Sequence, residues 1–242
     1  MGIDKYLVEE GYFESRNRAL DAIKTGKVKV DEKIVKPSTK VDNSSNIQVE
    51  DSKFYVSRAA RKLEAFLSQF PVNLSDKRAL DIGSSTGGFA QILLENSVES
   101  LSCVDVGSEQ LHHSLRDDPR VSLYEGEDIR EFHSDALFEL VTCDVSFISV
   151  GQILEDIERL STPKSHIIIL YKPQFEVGKD VRRDSRGVVL DQDAIAKKML
   201  EFEVQCLSLG WKFCRRAASL IAGKEGNQEY LYYFTKQEQP CR

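Results

Sequence analysis

The sequence predicts an α/β protein in which a mostly parallel sheet with helices on both faces follows a small α+β module. From Lys77 onward, apolar segments of strand length alternate with segments of helical periodicity, as in a parallel sheet joined by crossover helices. The chain has 242 residues, 41% hydrophobic and 30% charged, which is enough for one large domain and one small domain. A glycine-rich loop, residues 81–88, joins the first strand of this region to a helix.

The glycine-rich loop indicates a site for a nucleotide-like ligand. It follows an apolar strand, residues 78–82, and opens a helix, residues 88–95, so backbone N–H groups can approach such a ligand closely. About twenty residues later a second strand ends at Asp105, where these folds place the carboxylate that binds ribose hydroxyls. The glycine spacing is G-x-x-x-G-G and differs from the G-x-G-x-x-G of dinucleotide enzymes, which favours another adenosyl ligand, S-adenosylmethionine.

The remaining segments complete a sheet that we predict to have seven strands. Strands are predicted at 78–82, 101–105, 121–124, 139–144 and 166–171, and helices at 88–95, 108–116, 150–160 and 191–209. A hairpin formed by residues 211–220 and 229–234 adds the last two strands. A further helix, capped by Ser57 and running to about Phe70, precedes the first strand. A parallel sheet closed by a hairpin is typical of Rossmann-like class I methyltransferases.

The first fifty residues predict a separate module of two short helices and a small β unit. One helix runs from Ile3 to Glu10 and ends at Gly11, and the next is capped by Ser15 and stopped by Gly26. Strands follow at 28–30, 34–35 and 47–49. We therefore predict a small domain over residues 1–50, a linker over 51–56 and the large domain over 57–242. The second helix carries basic residues that could face RNA or solvent, namely Arg16, Arg18 and Lys24.

Composition and charge argue against several classes of protein. No apolar run approaches the roughly 18–20 residues that span a bilayer, and there is no signal-peptide pattern, so we expect a cytoplasmic protein without a membrane partner. The five cysteines lack C-x-x-C spacing and the four histidines form no ligand pattern, which predicts neither a disulfide framework nor a metal site. The net charge is −6, but residues 1–50 are neutral, with nine basic and nine acidic residues. Local basic clusters could therefore still meet phosphates.

Charged residues are predicted at the ends of neighbouring strands. Asp144 ends the fourth strand and Lys172 follows the fifth, and the carboxyl ends of parallel strands share one crevice. Lys62 lies on the helix before the first strand, and Glu229 opens the final strand. Two lysines and two acids suit the deprotonation of a ribose 2′-hydroxyl, because a lysine becomes a base near neutral pH only where burial or another cation lowers its pKa. Each residue alone could be a strand cap or a surface residue, so it is their joint placement around the loop that indicates catalysis.

Residues close to these strand ends are candidates for contacts with RNA. Phe147 follows Asp144 by three positions and could stack on a base or belong to the core. Three arginines in the loop after Lys172 could bind phosphates or face solvent, namely Arg182, Arg183 and Arg186.

Six motifs follow one another along the chain: YVSR…KL at 55–63, LDIGSSTGGF at 80–89, VDVG…QL at 104–111, DVSFIS at 144–149, KPQFE at 172–176 and GNQE at 226–229. Together they resemble the TlyA family of rRNA 2′-O-methyltransferases, whose members are sometimes labelled hemolysins. The first fifty residues are similar to the S4 RNA-binding pattern that precedes the FtsJ-like catalytic domain of that family. The resemblance covers nearly the whole chain.

The resemblance implies a Lys-Asp-Lys-Glu tetrad at Lys62, Asp144, Lys172 and Glu229, with Lys172 as the base. It implies that S-adenosylmethionine is held by residues of the glycine-rich loop and of two later strands, namely Asp81, Gly83, Ser85, Gly87, Gly88, Asp105 and Asp128. Asp128 stands where asparagine is common, which bears on its contact with the adenine. The implied substrate is a cytidine ribose in the 23S rRNA of the large ribosomal subunit, and Arg58 joins the residues expected to face that RNA.

Three other functions are compatible with parts of the sequence. An S4 module often belongs to a non-catalytic RNA-binding assembly factor, but the complete tetrad argues against that. A membrane-active hemolysin would need a long apolar or strongly amphipathic cationic segment, and the sequence has none. A small-molecule methyltransferase would have no use for the N-terminal module. We therefore predict an enzyme that methylates rRNA.

Overall fold

The structure, a computed structural model, describes residues 1–9, 12–13, 15–41, 45–50 and 55–237. The chain divides into two compact units, Met1–Phe54 and Tyr55–Arg242. Most of the predicted linker lies outside the described residues, as do Glu10 and Gly11 at the predicted end of the first helix. No helix in the described part of the chain is long and apolar enough to cross a membrane.

The N-terminal unit contains two helices and a small antiparallel sheet. The helices are α1 (Ile3–Glu9) and α2 (Arg16–Lys24), and the strands are β1 (Val28–Val30), β2 (Lys33–Ile34) and β3 (Ile47–Val49), arranged in the order β2-β1-β3. Ser15 is the N-cap of α2, and its hydroxyl accepts a hydrogen bond from the backbone N–H of Arg18, which confirms the predicted cap. Leu7, Ala19 and Ile23 are buried in a shared core.

The larger unit contains seven strands and six helices among its described residues. The strands are β4 (Arg78–Ile82), β5 (Ser100–Asp105), β6 (Val121–Glu125), β7 (Phe138–Cys143), β8 (Ser161–Tyr171), β9 (Trp211–Ala218) and β10 (Tyr230–Lys236). The helices are α3 (Arg58–Gln69), α4 (Gly88–Glu95), α5 (His113–Arg116), α6 (Leu154–Leu160), α7 (Pro173–Glu176) and α8 (Gln192–Ser208). A 3₁₀ turn, Val150–Ile153, precedes α6.

The sheet order is β6-β5-β4-β7-β8-β10-β9. Strands β4 to β8 pair in parallel, and β10 pairs antiparallel with both β8 and β9. The predicted fold class is therefore confirmed, including the closing hairpin. The chain order reverses between β5 and β7, on either side of β4, and parallel sheets bind their ligands at such a point.

Several predicted boundaries differ from the structure. The predicted helix 108–116 is reduced to α5, because the backbone N–H of Gln110 donates to Glu125 Oε1 at 3.1 Å and its side chain accepts from Ser85 Oγ at 2.9 Å. These contacts hold residues 108–112 as a loop. Asp144 lies just after β7, and Glu229 just before β10, so both belong to loops. The short helix α7 was not predicted.

Ser57 occupies the N-cap of α3 as predicted, but its side chain makes no capping hydrogen bond. The hydroxyl faces Gly88 of α4, where an added Cβ would lie 2.1 Å from Ser57 Oγ. The two helices are therefore packed with almost no space between these residues. The predicted N-cap position is correct, but the capping hydrogen bond expected from the Ser57 side chain is not formed.

An aromatic core fixes the strands that carry two of the predicted catalytic residues. The ring centroid of Phe202 on α8 lies 5.0 Å from those of Tyr171 and Tyr232. Tyr171 ends β8 immediately before Lys172, and Tyr232 belongs to the strand that follows Glu229. Rings packed at such distances restrain both strand ends.

Candidate active site

A cavity of about 400 Å³ lies at the carboxyl ends of β4, β5 and β7. This volume is within the range of small-molecule and cofactor sites. The wall is formed by the glycine-rich loop, the loops after β5 and β7, and residues 127–129. Its lining includes Gly83, Ser85, Asp105, Val106, Ile129 and Asp144.

Asp105 organises the glycine-rich loop. One carboxylate oxygen accepts a hydrogen bond from Ser85 N at 2.8 Å, and the other accepts from Gly107 N at 2.7 Å. The Ser85 hydroxyl donates to Gln110 Oε1 at 2.9 Å. Asp105 keeps further lone pairs for a ribose hydroxyl, so it can brace the loop and bind a ligand. Gln110 belongs to the VDVG…QL motif, but it was not predicted as a site residue, because its role depends on the loop in which it lies.

The backbone of the glycine-rich loop is largely paired with itself and with β5. Gly83 N donates to Val104 O at 2.9 Å, and Gly87 N donates to Ser84 O at 2.7 Å. Gly83 has a φ of +76°, and an added Cβ would lie 3.1 Å from the backbone carbonyl of Asp144. The loop therefore needs glycine here to approach the end of β7. N–H groups committed in this way are not available to bind a pyrophosphate.

The charges of the cavity fit S-adenosylmethionine better than a phosphate-bearing ligand. Among the described residues that line it, none is Lys or Arg, and four are acidic, namely Asp105, Glu127, Asp128 and Asp144. A cavity of this sign favours a cationic sulfonium and ammonium over a dinucleotide. Val106 and Ile129 supply apolar surface on which an adenine can lie.

Three predicted cofactor residues of the glycine-rich loop are not among the residues that line the cavity, namely Asp81, Gly87 and Gly88. Gly87 has a φ of +91°, and a Cβ there would lie 2.4 Å from Leu115 Cδ1. A Cβ on Gly88 would lie 2.9 Å from the backbone nitrogen of Ala60. The two glycines therefore serve the packing of α4 against its neighbours, which explains the Gly-Gly pair without a ligand contact.

The carboxyl group of Asp128, predicted near the adenine, is held by Arg130. It accepts hydrogen bonds from the guanidinium at 2.5 and 2.9 Å and from Arg130 N at 3.0 Å. These hydrogen bonds lower the pKa of Asp128 to about 2. Asp128 therefore lines the cavity as an ionised group that is already paired.

Asp81 is a buried acid with one oxygen paired. Its Oδ1 accepts a hydrogen bond from Thr142 Oγ1 at 2.7 Å, whereas Oδ2 has no hydrogen-bond partner among the described residues. Burial raises the pKa of Asp81 to about 7, and the neighbouring charges of Asp144 and Asp105 add to this rise. The carboxyl group therefore keeps its proton at pH values at which an exposed aspartate is ionised.

We expect Asp81→Asn to change how stability depends on pH. Asp81 releases its proton near pH 3.8 in the unfolded chain but near pH 7 in the folded protein. The folded state binds more protons between these values, so the free energy of unfolding of the wild type falls as pH rises through them. The variant lacks this titration, and its stability relative to wild type should increase by roughly 2–3 kcal/mol from pH 5 to pH 8. Urea denaturation of both proteins measures this; a difference that is constant with pH would contradict the raised pKa.

Lys172 forms an ion pair beside the cavity. Its Nζ lies 2.6 Å from Asp144 Oδ1, and it donates a hydrogen bond to Ser146 Oγ at 2.8 Å. The side chains of Lys172 and Asp144 are 11% and 17% exposed, so the pair is mostly buried but still accessible to solvent. Because Asp144 and Ser146 line the cavity, the lysine amine lies next to the space assigned to the cofactor.

A second ion pair joins Lys62 to Glu229. Lys62 Nζ lies 2.5 Å from Glu229 Oε2, and both side chains are almost fully buried. The other carboxylate oxygen accepts a hydrogen bond from Gln174 Nε2 at 2.9 Å. Gly223 packs against this carboxylate, since an added Cβ would lie 2.5 Å from Glu229 Oε1. Gln174 was not predicted as a site residue, although it lies in the same short motif as Lys172.

The two ion pairs belong to one electrostatic cluster. Burial raises the pKa of Asp144, Lys172 and then Lys62 oppose the rise, and Glu229 adds to it. Charges that influence the same carboxyl group in this way lie close together. The structure therefore brings together the four residues that were predicted to form a tetrad.

The loop after β7 presents an aromatic ring to solvent. Phe147 is 92% exposed, which rules out a core position, and its backbone has a φ of +68°. Its ring centroid lies 5.2 Å from that of Phe175. Glu176 anchors the loop by accepting hydrogen bonds from Ser149 Oγ at 2.6 Å and from Val150 N at 2.9 Å. An exposed ring on strained backbone is typical of a residue kept for contact with a ligand.

Arg183 forms hydrogen bonds within its own loop that the sequence did not predict. Its guanidinium donates to the backbone carbonyls of Gln174 and Gly178 at 2.9 Å and of Gly187 at 3.3 Å. It therefore holds the loop after α7 in place, and the predicted phosphate contact is not supported by its geometry.

The other predicted RNA-facing residues lie at or near the surface of their units. Arg182 and Arg58 are exposed, and Arg186 is exposed but lies 3.3 Å from Asp184 in an ion pair. In the N-terminal unit, Lys24 is exposed and Arg18 is half-buried, while Arg16 is paired with Asp4 at 2.6 Å.

Comparison with known proteins agrees with this architecture. Residues 55–236 match the FtsJ-like methyltransferase family, and residues 1–47 match the S4 domain. The chain is 45% identical to the 23S rRNA (cytidine-2′-O)-methyltransferase TlyA of Campylobacter jejuni, over 92% of this chain and 94% of that protein. It is 36% identical to the 16S/23S rRNA (cytidine-2′-O)-methyltransferase TlyA of Mycobacterium tuberculosis, over 97% and 90%. The solved structure of a candidate hemolysin from Streptococcus thermophilus has a TM-score of 0.74 and 31% identity, and the match covers 99% of this chain and 90% of that one.

These matches extend over both units of the chain and agree with its fold. The methyl donor of such enzymes, S-adenosylmethionine, fits the cavity by size and by charge. The chain therefore belongs to the TlyA family, in which an S4 domain precedes an FtsJ-like, S-adenosylmethionine-dependent methyltransferase domain.

Proposed function

We propose that this protein methylates the 2′-hydroxyl of a cytidine in 23S rRNA. The observation that carries the proposal is the cluster of two buried or shielded Lys–acid pairs beside the cofactor cavity. Both TlyA relatives are named as cytidine 2′-O-methyltransferases, and the more similar of these two is named for 23S rRNA alone. This favours the large ribosomal subunit as the substrate, and a cytoplasmic site of action.

The reaction requires removal of the proton from the ribose O2′. S-adenosylmethionine supplies a methyl group bound to a positively charged sulfur. Lys172 Nζ, in its neutral form, would accept the O2′ proton as the methyl group passes to O2′, so that the S–CH₃ bond breaks while the O2′–CH₃ bond forms. The resulting ammonium is stabilised by Asp144 Oδ1 at 2.6 Å and Ser146 Oγ at 2.8 Å. Positioning and proton removal supply the catalysis.

The second ion pair has an electrostatic and a positioning role. The Lys62 ammonium favours the negative charge that develops on O2′, and such preorganised charge is effective where water is excluded. Glu229 holds Lys62 at 2.5 Å and is itself held by Gln174. In the cofactor cavity, Asp105 binds the ribose hydroxyls of S-adenosylmethionine, and Gly83 and Ser85 form the adjoining wall.

The N-terminal unit supplies affinity for RNA in this proposal. We assign residues 1–50 to the S4 domain and residues 57–242 to the methyltransferase domain, with 51–56 as the linker. The exposed Lys24 on α2, and Arg58 and Arg182 in the larger unit, are available for phosphates because they are exposed.

We expect Phe147→Ala to weaken RNA binding; because Phe147 also lines the cofactor cavity, the affinity for S-adenosylmethionine is measured separately. The ring is 92% exposed, so its removal should leave the melting temperature nearly unchanged. Loss of one base–aromatic stacking contact costs about 1–3 kcal/mol, which corresponds to a 5- to 150-fold rise in the KM for rRNA. Phe147→Tyr keeps the planar ring and should retain most of the affinity. An unchanged KM in the alanine variant would contradict the stacking role.

The proposed function is tested by transfer of a labelled methyl group to RNA. Purified large and small ribosomal subunits that lack the modification are incubated with the protein and tritiated S-adenosylmethionine. We expect label in 23S rRNA, at a cytidine whose 3′-phosphodiester resists alkaline cleavage because the 2′-oxygen is blocked. Label on a base, or no label in any RNA, would overturn the proposal. Label in 16S rRNA alone would overturn the assignment to the large subunit.

A further inference from the structure

A second cavity lies between the C-terminal end of α3 and the edge strand β9, with a volume of about 510 Å³. We call it the α3–β9 groove. The residues that matter for its chemistry are Phe70, Lys212, Cys214, Arg215 and Tyr233. None of them belongs to the cofactor cavity or to the two ion pairs, so the reaction described above does not account for this groove.

The groove combines exposed cations with aromatic rings. Lys212 and Arg215 are exposed, and the guanidinium carbon of Arg215 lies 6.0 Å from the ring centroid of Phe70. Neither cation forms an ion pair with any residue in the described part of the chain. None of the described lining residues is acidic, although the whole chain has a net charge of −6. The groove is thus a local exception to the acidity of the protein and attracts anions.

The aromatic surface of the groove is held in place by its neighbours. Tyr233 is half-buried, its ring is stacked on His166 with centroids 5.9 Å apart, and its hydroxyl lies 2.8 Å from His166 Nδ1. The pairing of β9 with β10 shifts register between Tyr233 and Phe234, and such an irregularity re-aims side chains at a sheet edge. Arg215 also donates a hydrogen bond to the backbone carbonyl of Cys214 at 3.0 Å, which holds the guanidinium in the groove. A preorganised ring beside two exposed cations is the combination used to bind single-stranded nucleic acid.

The groove and the Lys62–Glu229 pair share helix α3, and Tyr233 of the groove lies on β10, the strand that follows Glu229. From Lys62 to Gln69 the rise along α3 is about 10 Å. From Glu229 to Tyr233 the rise along β10 is about 13 Å. Phosphates of a stacked strand are about 3.4 Å apart along the axis, so the separation corresponds to roughly three or four nucleotides. One RNA strand can therefore reach the catalytic cluster and the groove together.

We propose that the α3–β9 groove binds a nucleotide of the RNA substrate a few positions from the methylated cytidine. Lys212 and Arg215 contact neighbouring phosphates, and the base lies against the ring of Tyr233, while the Phe70 ring supports the guanidinium of Arg215. An acidic peptide would satisfy the two cations but would leave the Tyr233 ring without a planar partner, so RNA is the occupant that the lining favours. The proposal rests on the proposed function, because it places the groove on the path of the same RNA.

The test measures binding of purified 23S rRNA to the full-length protein at several salt concentrations. Variants are Lys212→Ala, Arg215→Ala and the double substitution, with Lys197→Ala as a control that removes one exposed cation from α8. We expect the double variant to bind RNA at least tenfold more weakly, with the slope of log K against log salt reduced by about 1–2 because two phosphate contacts are lost. Tyr233→Leu should weaken binding without changing that slope.

The outcomes separate this proposal from the proposed function. If wild-type protein methylates 23S rRNA and the double variant binds RNA as well as the Lys197→Ala control, the groove proposal is overturned and the function stands. If the variants lose contact with a ribosomal protein while their affinity for naked RNA is unchanged, the groove proposal is also overturned. The affinity for S-adenosylmethionine should remain at the wild-type value in all variants, and the melting temperature should remain so in the variants of Lys212, Arg215 and Lys197, whose side chains are exposed.

A footprint gives a second readout without any substitution. Cys214 lines the groove and is partly exposed, whereas Cys103, Cys143 and Cys206 are buried. We expect 23S rRNA to slow the alkylation of Cys214 by iodoacetamide, measured on the Cys214 peptide by mass spectrometry, and S-adenosylmethionine alone to leave it unchanged. Alkylation at the same rate with and without bound RNA would overturn the proposal.

Discussion

Replacing Lys172 by alanine is expected to lower kcat for RNA methylation by roughly 10²–10⁴-fold, the range that a positioned general base contributes. The substitution removes the group that accepts the O2′ proton, and it also leaves Asp144 without its partner at 2.6 Å. Lys172 does not line the cofactor cavity, so the affinity for S-adenosylmethionine should change little. Single-turnover methylation of 23S rRNA and calorimetric titration with the cofactor measure the two quantities separately.

Lys172→Arg distinguishes a base from a fixed positive charge. A guanidinium preserves the charge beside Asp144 but stays protonated, so it cannot accept the O2′ proton. We expect this variant to be nearly as slow as Lys172→Ala. Recovery of most of the activity in Lys172→Arg would show that the positive charge is sufficient, and the assignment of Lys172 as the base would be wrong.

Replacing Lys62 by methionine is expected to destabilise the protein by about 3–5 kcal/mol, because the buried carboxylate of Glu229 loses its counter-charge. The pair is separated by 2.5 Å, and the side chains are only 7% and 4% exposed. The double variant Lys62→Met/Glu229→Gln removes both charges and keeps an acceptor for Gln174. Its stability should return to within about 1–2 kcal/mol of wild type, since a neutral buried pair avoids the desolvation of charge.

A matched control shows whether burial is the cause. Lys198 and Glu201 form an ion pair of similar length, 2.7 Å, but both side chains are 43% exposed. Lys198→Met should therefore cost less than about 1 kcal/mol. Denaturant unfolding of the wild type and the three variants without cofactor gives these values. Equal losses for Lys62→Met and Lys198→Met, or a double variant as unstable as Lys62→Met, would contradict the role of the buried charge. The double variant should remain inactive, because Lys62 also favours charge on O2′.

Local periodicity correctly predicted those helices and strands whose local sequence pattern matches their tertiary environment. The bounds of β4 and α4 are as predicted, because a run of apolar residues leads into glycines that end the strand and start the helix. The prediction failed at residues 108–112, where a helical pattern is overridden by contacts of Gln110 with Ser85 and Glu125. Those contacts join residues that are distant in sequence, so no local pattern contains them.

The candidate site divides in the same way. That Asp144 and Lys172 follow neighbouring strands was readable from the alternation of strands and helices. The sequence did not predict three contacts of the site. Gln174 donates a hydrogen bond to Glu229, Glu176 anchors the Phe147 loop, and the guanidinium of Arg183 donates to backbone carbonyls. Each of these roles depends on which carbonyl or carboxylate is nearest after folding.

The sequence by itself determined the α/β class, the glycine-rich loop and the strand ends at which the acids and lysines lie, because these follow from short-range periodicity and turn chemistry. Only the tertiary structure decided how the charges pair. Lys62 and Glu229 are 167 positions apart and meet only in the folded chain. The burial of Asp81 and of this ion pair is likewise a property of the assembled core. A charged side chain that is solvated by water in the unfolded chain loses that solvation in the core, and this raises the free energy of its charged form.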